Sequence, residues 1–296
     1  MSGLLVVGDV VTDVVARHGK PLAPGTDTAA RIRLLPGGAG ANAACWAARS
    51  GCEDVRILGR VGADGASWHE AALRRAGVRP LLVTDPDAPT ATVVALVDAQ
   101  AGAERTFLTD SGAALRLSPA DWSPGLLDGV GHLHLSGYLF FAGTSREAAG
   151  VALTAARERG VPVSVDPASA GFLAELGPAR FLDAVDGGDV LLPNADEAAL
   201  LSGRRSPEAA AATLSGRFPL VVVTLGPKGA LVAADGELVA RVPAPSATAL
   251  DTTGAGDAFT GGFLAARLAG ADAREAAEAG CRAGAVAVTG LGGRPV

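Results

Sequence analysis

Short apolar runs alternate along this chain with alanine-rich segments of helical period, and this alternation constrains the fold most. The apolar runs are three to five residues long, and the helical segments end at glycine, as helix C-termini commonly do. Strands without a polar face occur where helices cover both faces of a parallel sheet. The sequence therefore predicts a three-layer α/β/α sandwich with a mostly parallel central sheet. The predicted strands are residues 4–7, 55–58, 132–135, 161–165, 190–192 and 220–224.

Two segments, residues 10–36 and 80–110, interrupt the alternation. Neither has a helical period, and both alternate apolar and polar residues over part of their length. We predict that they form a small β-sheet lid over the main sheet; a pair of surface hairpins without function is the alternative. The length of 296 residues and the absence of a linker predict a single domain over residues 1–296, with the lid inserted in it. Exposed edges of such a lid invite pairing, so a homodimer through the lid is one expected assembly.

Charge and cysteine content exclude several functional classes. Lys and Arg total 25 against 31 Asp and Glu, so nothing favours a nucleic-acid partner. No apolar stretch approaches the roughly 18 residues of a membrane span, and we expect no membrane partner. The three cysteines, Cys45, Cys52 and Cys281, form no C-x-x-C pair. We therefore expect reduced thiols in a cytoplasmic protein, without a zinc site.

The strongest signal is the segment 251–259, D-T-T-G-A-G-D-A-F, which leads into a helical pattern. It places Gly254, Ala255 and Gly256 at a helix N-terminus, where backbone N–H groups lack partners and small residues let an anion approach. An acid such as Asp257 repels an anion that merely binds there. It is useful if it removes a proton from a hydroxyl group that attacks a bound phosphoryl group. The alternative is that Asp257 only caps the helix.

Two further segments follow predicted strands. Thr224, Gly226 and Gly229 form a glycine-rich turn of the kind that binds nucleotides in α/β proteins, although a plain strand-to-strand turn has the same composition. Asn194 and Glu197 lie one helical turn apart on one face, which suits a hydrated Mg²⁺ beside phosphates. An N-cap followed by an acidic first turn is the alternative there.

A glycine-rich segment, residues 36–42, opens the first predicted helix. Its spacing fits neither a dinucleotide fingerprint nor a Walker A loop, which disfavours a nicotinamide dehydrogenase. Gly37 and Gly38 permit close approach of a ligand, and Asn42 offers a donor and an acceptor for sugar hydroxyl groups.

In this order, these motifs resemble the ribokinase-like (PfkB) family of sugar and nucleoside kinases over the whole chain. Segment 8–13 is similar to the first strand of that family with its substrate acid, and segment 37–42 resembles its first signature. The motifs at 194–197 and 224–229 match later signatures, and 251–257 is a complete match to a highly specific one. The resemblance implies a central sheet flanked by helices, a β lid, and transfer of the γ-phosphoryl group of Mg·ATP to a primary hydroxyl group.

Site roles follow from the resemblance. Asp257 would be the general base, and backbone N–H groups at Gly254, Ala255 and Gly256 would stabilise charge on the transferring group. The other implied roles are acceptor binding by Asp13, Gly38 and Asn42; ATP binding by Asn194, Thr224, Gly226 and Gly229; a water-mediated Mg²⁺ contact by Glu197; and a monovalent cation site, K⁺ in many relatives, made by Asp251 with main-chain carbonyl groups of Thr253, Ala287, Gly290 and Gly292.

The acceptor site departs from that of the ribokinases proper. They carry Lys, Asn and Glu where this chain has Ala39, Val11 and Ser136, so three polar sugar contacts are missing. Such a site disfavours a small polyol such as ribose and suits a differently shaped hexose, or an acceptor with an apolar part such as a nucleoside.

The functional expectation is a kinase of a sugar-type hydroxyl group. The alternatives are a nucleoside kinase of the adenosine or pseudouridine type and a non-catalytic protein that senses a sugar or nucleotide. Arg31, Arg33 and Arg105 in the predicted lid would recognise a phosphorylated sugar, or would merely protect strand edges.

Overall fold

The computed structural model describes residues 3–98 and 104–295, in which helices cover both faces of a nine-stranded sheet. The strand order is β13-β12-β11-β10-β9-β8-β1-β4-β5, and the pairs from β11 through β5 are all parallel. Only β12 and β13 run antiparallel to their neighbours. These strands are β1 Gly3–Val7, β4 Val55–Gly62, β5 Val78–Asp85, β8 Val130–Ser136, β9 Val163–Asp166, β10 Val190–Leu191, β11 Leu220–Thr224, β12 Ala230–Ala234 and β13 Glu237–Val242; the remaining four are β2 Val11–His18, β3 Ala30–Gly37, β6 Ala91–Asp98 and β7 Glu104–Asp110.

The sheet is buried on both sides, as the apolar runs predict. Strand β1 lies between β4 and β8 and is buried along its whole length. Leu5 and Val7 pack into one apolar core, whereas Leu4 and Val6 pack into another on the opposite face. This arrangement confirms the predicted three-layer sandwich. The helices are α1 Ala39–Arg49, α2 Ala66–Arg75, α3 Gly143–Glu158, α4 Ala170–Leu176, α5 Pro178–Ala184, α6 Ala195–Ser202, α7 Pro207–Ser215, α8 Ala255–Leu268 and α9 Ala273–Ala287.

A separate four-stranded sheet, in the order β3-β2-β6-β7, forms the expected lid. Its central strands β2 and β6 are parallel, and the two outer pairs are antiparallel. The predicted lid boundary at residue 80 is wrong, because residues 80–85 belong to β5 and pair with β4 in the main sheet. Strand β5 is a half-buried edge strand, so its pattern resembles that of a lid strand, and the pattern alone does not say which sheet it joins. Residues 99–103 of the predicted lid lie outside the described residues.

Helix α8 approaches its neighbours closely through two consecutive glycines. A Cβ atom on Gly261 would lie 2.5 Å from the carbonyl oxygen of Ala43 and 2.7 Å from the backbone nitrogen of Ala47, both on α1. A Cβ atom on Gly262 would lie 2.8 Å from the Cβ atom of Ala283 on α9. Glycine therefore sets the distance between the backbones of α8 and α1.

The three cysteines are buried and form no disulfide with one another. Among the described residues, no helix combines the length and the apolar character needed to span a membrane.

Candidate active site

A cavity of about 460 Å³ opens at the carboxyl ends of the central strands, beneath the lid. Its floor includes Asp166 at the end of β9, Thr224 at the end of β11 and the first residues of α8. Its roof comes from one face of the lid, where the strand register aligns Asp13 with Val93 and Thr109. Ligands of parallel α/β sheets bind at this edge, so the cavity is the candidate active site.

Helix α8 begins at the floor of the cavity after an unusual turn. Gly254 has φ +73° in the left-handed region, and a Cβ atom there would collide with Gly293. The N–H of Ala255 donates to Thr252 O at 3.3 Å. The N–H groups of Gly256 and Asp257 lie in the first turn of α8, where the geometry of an α-helix provides no intrahelical acceptor. The predicted anion hole therefore lines the cavity, with the Ala255 amide already weakly engaged.

Asp257 faces the cavity from the first turn of α8 and contacts a second helix. The side-chain amide of Asn42 donates a hydrogen bond of 2.7 Å from Nδ2 to Oδ2 of Asp257. Burial raises the pKa of Asp257 well above its ordinary value, and the charges of Asp166, Asp9 and Asp13 raise it further, against the Asn42 hydrogen bond. A carboxylate with a raised pKa is a better proton acceptor near neutral pH than an ordinary aspartate.

Asp13 and Gly38 lie beside Asp257 as the sequence predicts. Burial raises the pKa of Asp13 to about 6, although the nearby guanidinium group of Arg294 lowers it. Arg294 donates from Nη2 to Gly37 O at 2.8 Å, next to the Asp13 carboxylate, which packs on Gly37. Gly38 has φ +97°, and a Cβ atom there would lie 2.5 Å from Asp9 O, so only glycine fits.

Asp9 is a cavity residue that the motif analysis did not single out. It is 5% exposed and lies two residues beyond the end of β1. Its Oδ2 accepts a hydrogen bond of 2.7 Å from the N–H of Ala39, and its Oδ1 accepts bonds from Gly40 N at 3.1 Å and Ser136 Oγ at 2.7 Å. The available signal was its place immediately beyond the first buried strand, where side chains of parallel sheets meet ligands.

Asn194 and Glu197 form a capping box at the start of α6 and also line the cavity. Asn194 Oδ1 accepts the N–H groups of Asp196 and Glu197, and Glu197 Oε2 accepts the N–H of Asn194. Burial and, to a smaller extent, the charge of Asp166 together raise the pKa of Glu197 to about 8. Asp166, which the motif analysis missed, also lines this wall and accepts a hydrogen bond of 3.2 Å from Thr260 Oγ1.

The glycine-rich turn after β11 is only partly in the cavity. Thr224 lines it, whereas Gly226 and Gly229 belong to the turn beyond and are not among its lining residues. The structure thus brings together Asp13, Gly38, Asn42, Asn194, Glu197, Thr224, Gly254, Ala255, Gly256 and Asp257 around one cavity.

The residues predicted to bind a monovalent cation lie on two adjoining loops. Asp251 joins them, because its carboxylate accepts the N–H of Thr253 at 2.7 Å and that of Gly292 at 3.1 Å. The carbonyl oxygen of Ala287 accepts the N–H of Gly290 at the end of α9. Hard cations are coordinated by carboxylate and carbonyl oxygen atoms of this kind.

No Lys or Arg whose side chain the structure describes lines the cavity. Arg31 and Arg33 are exposed on β3, and the side chain of Arg105 lies outside what the structure describes. The geometry therefore offers no support for recognition of a phosphorylated sugar by Arg31 and Arg33.

The chain is similar to known proteins both in sequence and in fold. A family model described as pfkB family carbohydrate kinase matches residues 1–295. A fructokinase from Klebsiella pneumoniae is 33% identical over 275 residues, which cover 90% of this chain and 84% of that protein. A candidate ribokinase II from E. coli, solved with ATP and Mg²⁺, has a TM-score of 0.85 at 26% identity and covers 99% of this chain and 94% of its own. An adenosine kinase from Sinorhizobium meliloti has a TM-score of 0.89 at 23% identity, covering 100% and 96%, and shares the fold.

Proposed function

Because the chain belongs to the pfkB family of carbohydrate kinases, and is therefore a phosphotransferase acting on hydroxyl groups, we propose that it transfers the γ-phosphoryl group of ATP to a hydroxyl group of a free hexose such as D-fructose. One observation carries the proposal. Asp257, with its raised pKa, lies in the same cavity as the N-terminal turn of α8 and the acceptor residues Asp13 and Asn42.

The proposed step is an in-line displacement. Asp257 takes the proton of the acceptor hydroxyl group as its oxygen forms a bond to the γ-phosphorus, and the bond from phosphorus to the β–γ bridging oxygen breaks to release ADP. The first-turn amides of α8 stabilise the negative charge on the transferring group, because they point at it with the positive end of the helix dipole. Closure of the lid excludes water that would otherwise hydrolyse ATP.

A Mg²⁺ ion fits the wall formed by Asp166 and Glu197. Burial raises the pKa of Glu197, and the charge of Asp166 adds to the increase, so a cation between the two acids and the phosphates relieves an unfavourable interaction. No group of three or more His, Cys, Asp or Glu residues in the described chain is arranged to hold a metal, so phosphates and water would complete the coordination. Bound there, Mg²⁺ would neutralise charge on the ATP phosphates, and Asn194 and Thr224 would contact the nucleotide.

A free hexose is the leading acceptor. Asp13 and Asn42 supply polar atoms for hydroxyl groups, and the lining contains no basic group of the described chain for a substrate phosphate. A nucleoside is the second candidate, favoured by three aromatic side chains, Phe107, Tyr138 and Phe172, that line the same cavity. Membership of a family of phosphotransferases argues against the sensor alternative.

Potassium activation, cytoplasmic location and dimerisation are parts of the proposal. The carboxylate of Asp251 and the adjoining carbonyl groups supply the donors for K⁺. Ile32 and Leu34 lie 63% and 64% exposed on the outer face of the lid, and a second copy would cover them. Light scattering with and without K⁺ tests the dimer, and the K⁺ dependence of turnover tests the cation site.

The deciding assay measures ADP release with Mg·ATP and K⁺ across ribose, fructose, other hexoses, 2-keto-3-deoxygluconate, nucleosides and phosphosugars. We expect D-fructose or another free hexose to turn over. Asp257→Asn should reduce kcat by about 10³-fold or more while the affinity for ATP stays unchanged, because the base is lost and the anion hole remains.

Glu275→Gln is the matched control, because Glu275 is the first-turn acid of α9 and only caps that helix. Near-normal turnover of Asp257→Asn, or an equal loss of kcat in both variants, would show that Asp257 is not the general base and only caps the helix. Absence of ADP release with every acceptor would refute the proposed function.

A further inference from the structure

We propose, on the premise of the kinase function above, that Asp9 is a positioning residue: it fixes the first turn of α1 so that Asn42 reaches Asp257, and Ser136 in turn fixes Asp9. Asp9 joins three elements, because it follows β1, accepts two N–H groups at the start of α1 and accepts the hydroxyl group at the end of β8. Hydrogen bonds to an ionised acceptor are about twice as strong as neutral ones, so this junction is rigid.

Helix α1 has no capping group of its own. Its N-cap residue is Gly38, which has no side chain, and its first turn contains no acid. The unpaired N–H groups and the positive end of the helix dipole therefore require an acceptor from elsewhere. Asp9 supplies that acceptor from a neighbouring strand, at 2.7 Å from Ala39 N and 3.1 Å from Gly40 N.

The orientation of Asn42 depends on this turn. Its N–H donates to Gly38 O at 2.8 Å, and its side chain donates to Asp257 at 2.7 Å. The other side-chain atom, Oδ1, is buried and has no hydrogen-bond partner within the described structure. A second side-chain contact therefore does not hold the amide, and the backbone of the first turn of α1 must place it.

The carboxylate of Asp9 also acts on Asp257 through its charge. The groups that face Asp257 are Asn42 from α1, Asp166 from β9, Asp13 from β2, Asp9 after β1 and Tyr138 after β8. The three acids raise the pKa of Asp257. Replacing Asp9 by a neutral residue of the same shape should therefore move the acid limb of kcat to lower pH. A purely structural role of Asp9 would leave that limb in place.

Asp9→Asn and Ser136→Ala test the proposal, with Asp272→Asn and Ser145→Ala as matched controls. Asp272 accepts a backbone N–H at the start of α9, and Ser145 donates to Leu139 O in the interior; neither lines the cavity. With Mg·ATP and D-fructose, or the best acceptor of the panel, we expect Asp9→Asn to lower kcat at least about tenfold, with KM for ATP changed less than about twofold. Ser136→Ala should show a smaller loss in the same direction, and the controls should match the wild type.

Amide hydrogen exchange provides the readout that does not need turnover. Exchange at Ala39 and Gly40 should accelerate in Asp9→Asn and, to a smaller extent, in Ser136→Ala, while the thermal midpoint shows that both variants are folded. Unchanged exchange at these amides, unchanged kcat, an unmoved acid limb, or equal losses in the controls would overturn the proposal. If the wild type turns over no acceptor, the kinase proposal fails, and the exchange measurement still decides whether Asp9 holds the turn.

Discussion

Gly261→Ala is expected to disable catalysis from a position outside the cavity. Gly261 lies on α8 four residues after Asp257, so both residues are on the same face of that helix. This face packs against α1, which carries Asn42. A methyl group at residue 261 would therefore increase the distance between α8 and α1, the two helices that carry Asp257 and Asn42.

The size of the displacement follows from the contacts. The added Cβ atom would lie 2.5 Å from Ala43 O, whereas ordinary contact begins near 3.4 Å. The helices must therefore separate by about 0.9 Å, which stretches the 2.7 Å bond between Asn42 and Asp257 to roughly 3.6 Å, beyond the usual range. A misplacement of about 1 Å in a catalytic group reduces turnover by about 10²-fold. Overpacking of this kind also destabilises a fold by about 1–3 kcal/mol.

The assay compares kcat for ADP release in Gly261→Ala and Gly262→Ala. Gly262 is the adjacent residue, but its Cβ atom would contact Ala283 and the backbone of α9. Both variants should lose similar stability in denaturant unfolding, but only Gly261→Ala should lose about 100-fold in kcat. A folded Gly261→Ala enzyme within about threefold of wild-type kcat, or an equal loss in Gly262→Ala, would refute the reasoning.

Two predictions concern pH. First, kcat/KM should fall as the pH drops towards about 6, which is well above the pH at which an ordinary aspartate becomes protonated. The reason is that burial raises the pKa of Asp257 and brings that of Asp13 to about 6. A value of kcat/KM that stays constant down to about pH 4.5 would contradict this prediction. Second, burial lowers the pKa of His132 to about 4 and of His134 to about 3, so the unfolded chain binds protons below pH 6.5 that the folded chain excludes. This histidine contribution to stability is complete above pH 6.5 and is lost as the pH falls, by about 3 kcal/mol for His132 at pH 4. As the pH falls, the unfolding free energy of the double variant with Gln at both positions should therefore increase relative to that of the wild type. The cavity carboxylates have raised pKa values that act in the opposite direction, but they are present in both proteins and cancel in the difference. A difference that does not change with pH would contradict the prediction.

The sequence pattern predicts the main sheet and most of the candidate site because the signals for them lie within short continuous segments of the chain. Runs such as residues 4–7 are apolar at every position, which marks strands buried on both faces, and the chemistry of Asp257 and its glycines is contained in one short segment. Asp9 and Ser136, by contrast, are 127 residues apart and acquire their role only when β1 and β8 become neighbours. The placement of β5 failed for the same reason, since sheet membership depends on a distant partner.

The position of β1 has a consequence for how the chain folds. On one side β1 pairs with β4, where Leu4 lies opposite Val55. On the other side it pairs with β8, where Leu4 lies opposite His132, which is much further along the chain. During synthesis, the nascent chain can therefore complete only one flank of this strand before more than a third of the protein has emerged from the ribosome. Pairings with such large sequence separation slow folding and leave an apolar edge unpaired meanwhile. A strand that is interior in the finished sheet is thus an exposed edge early in folding, and chaperone binding and misassembly are expected to concentrate in that interval.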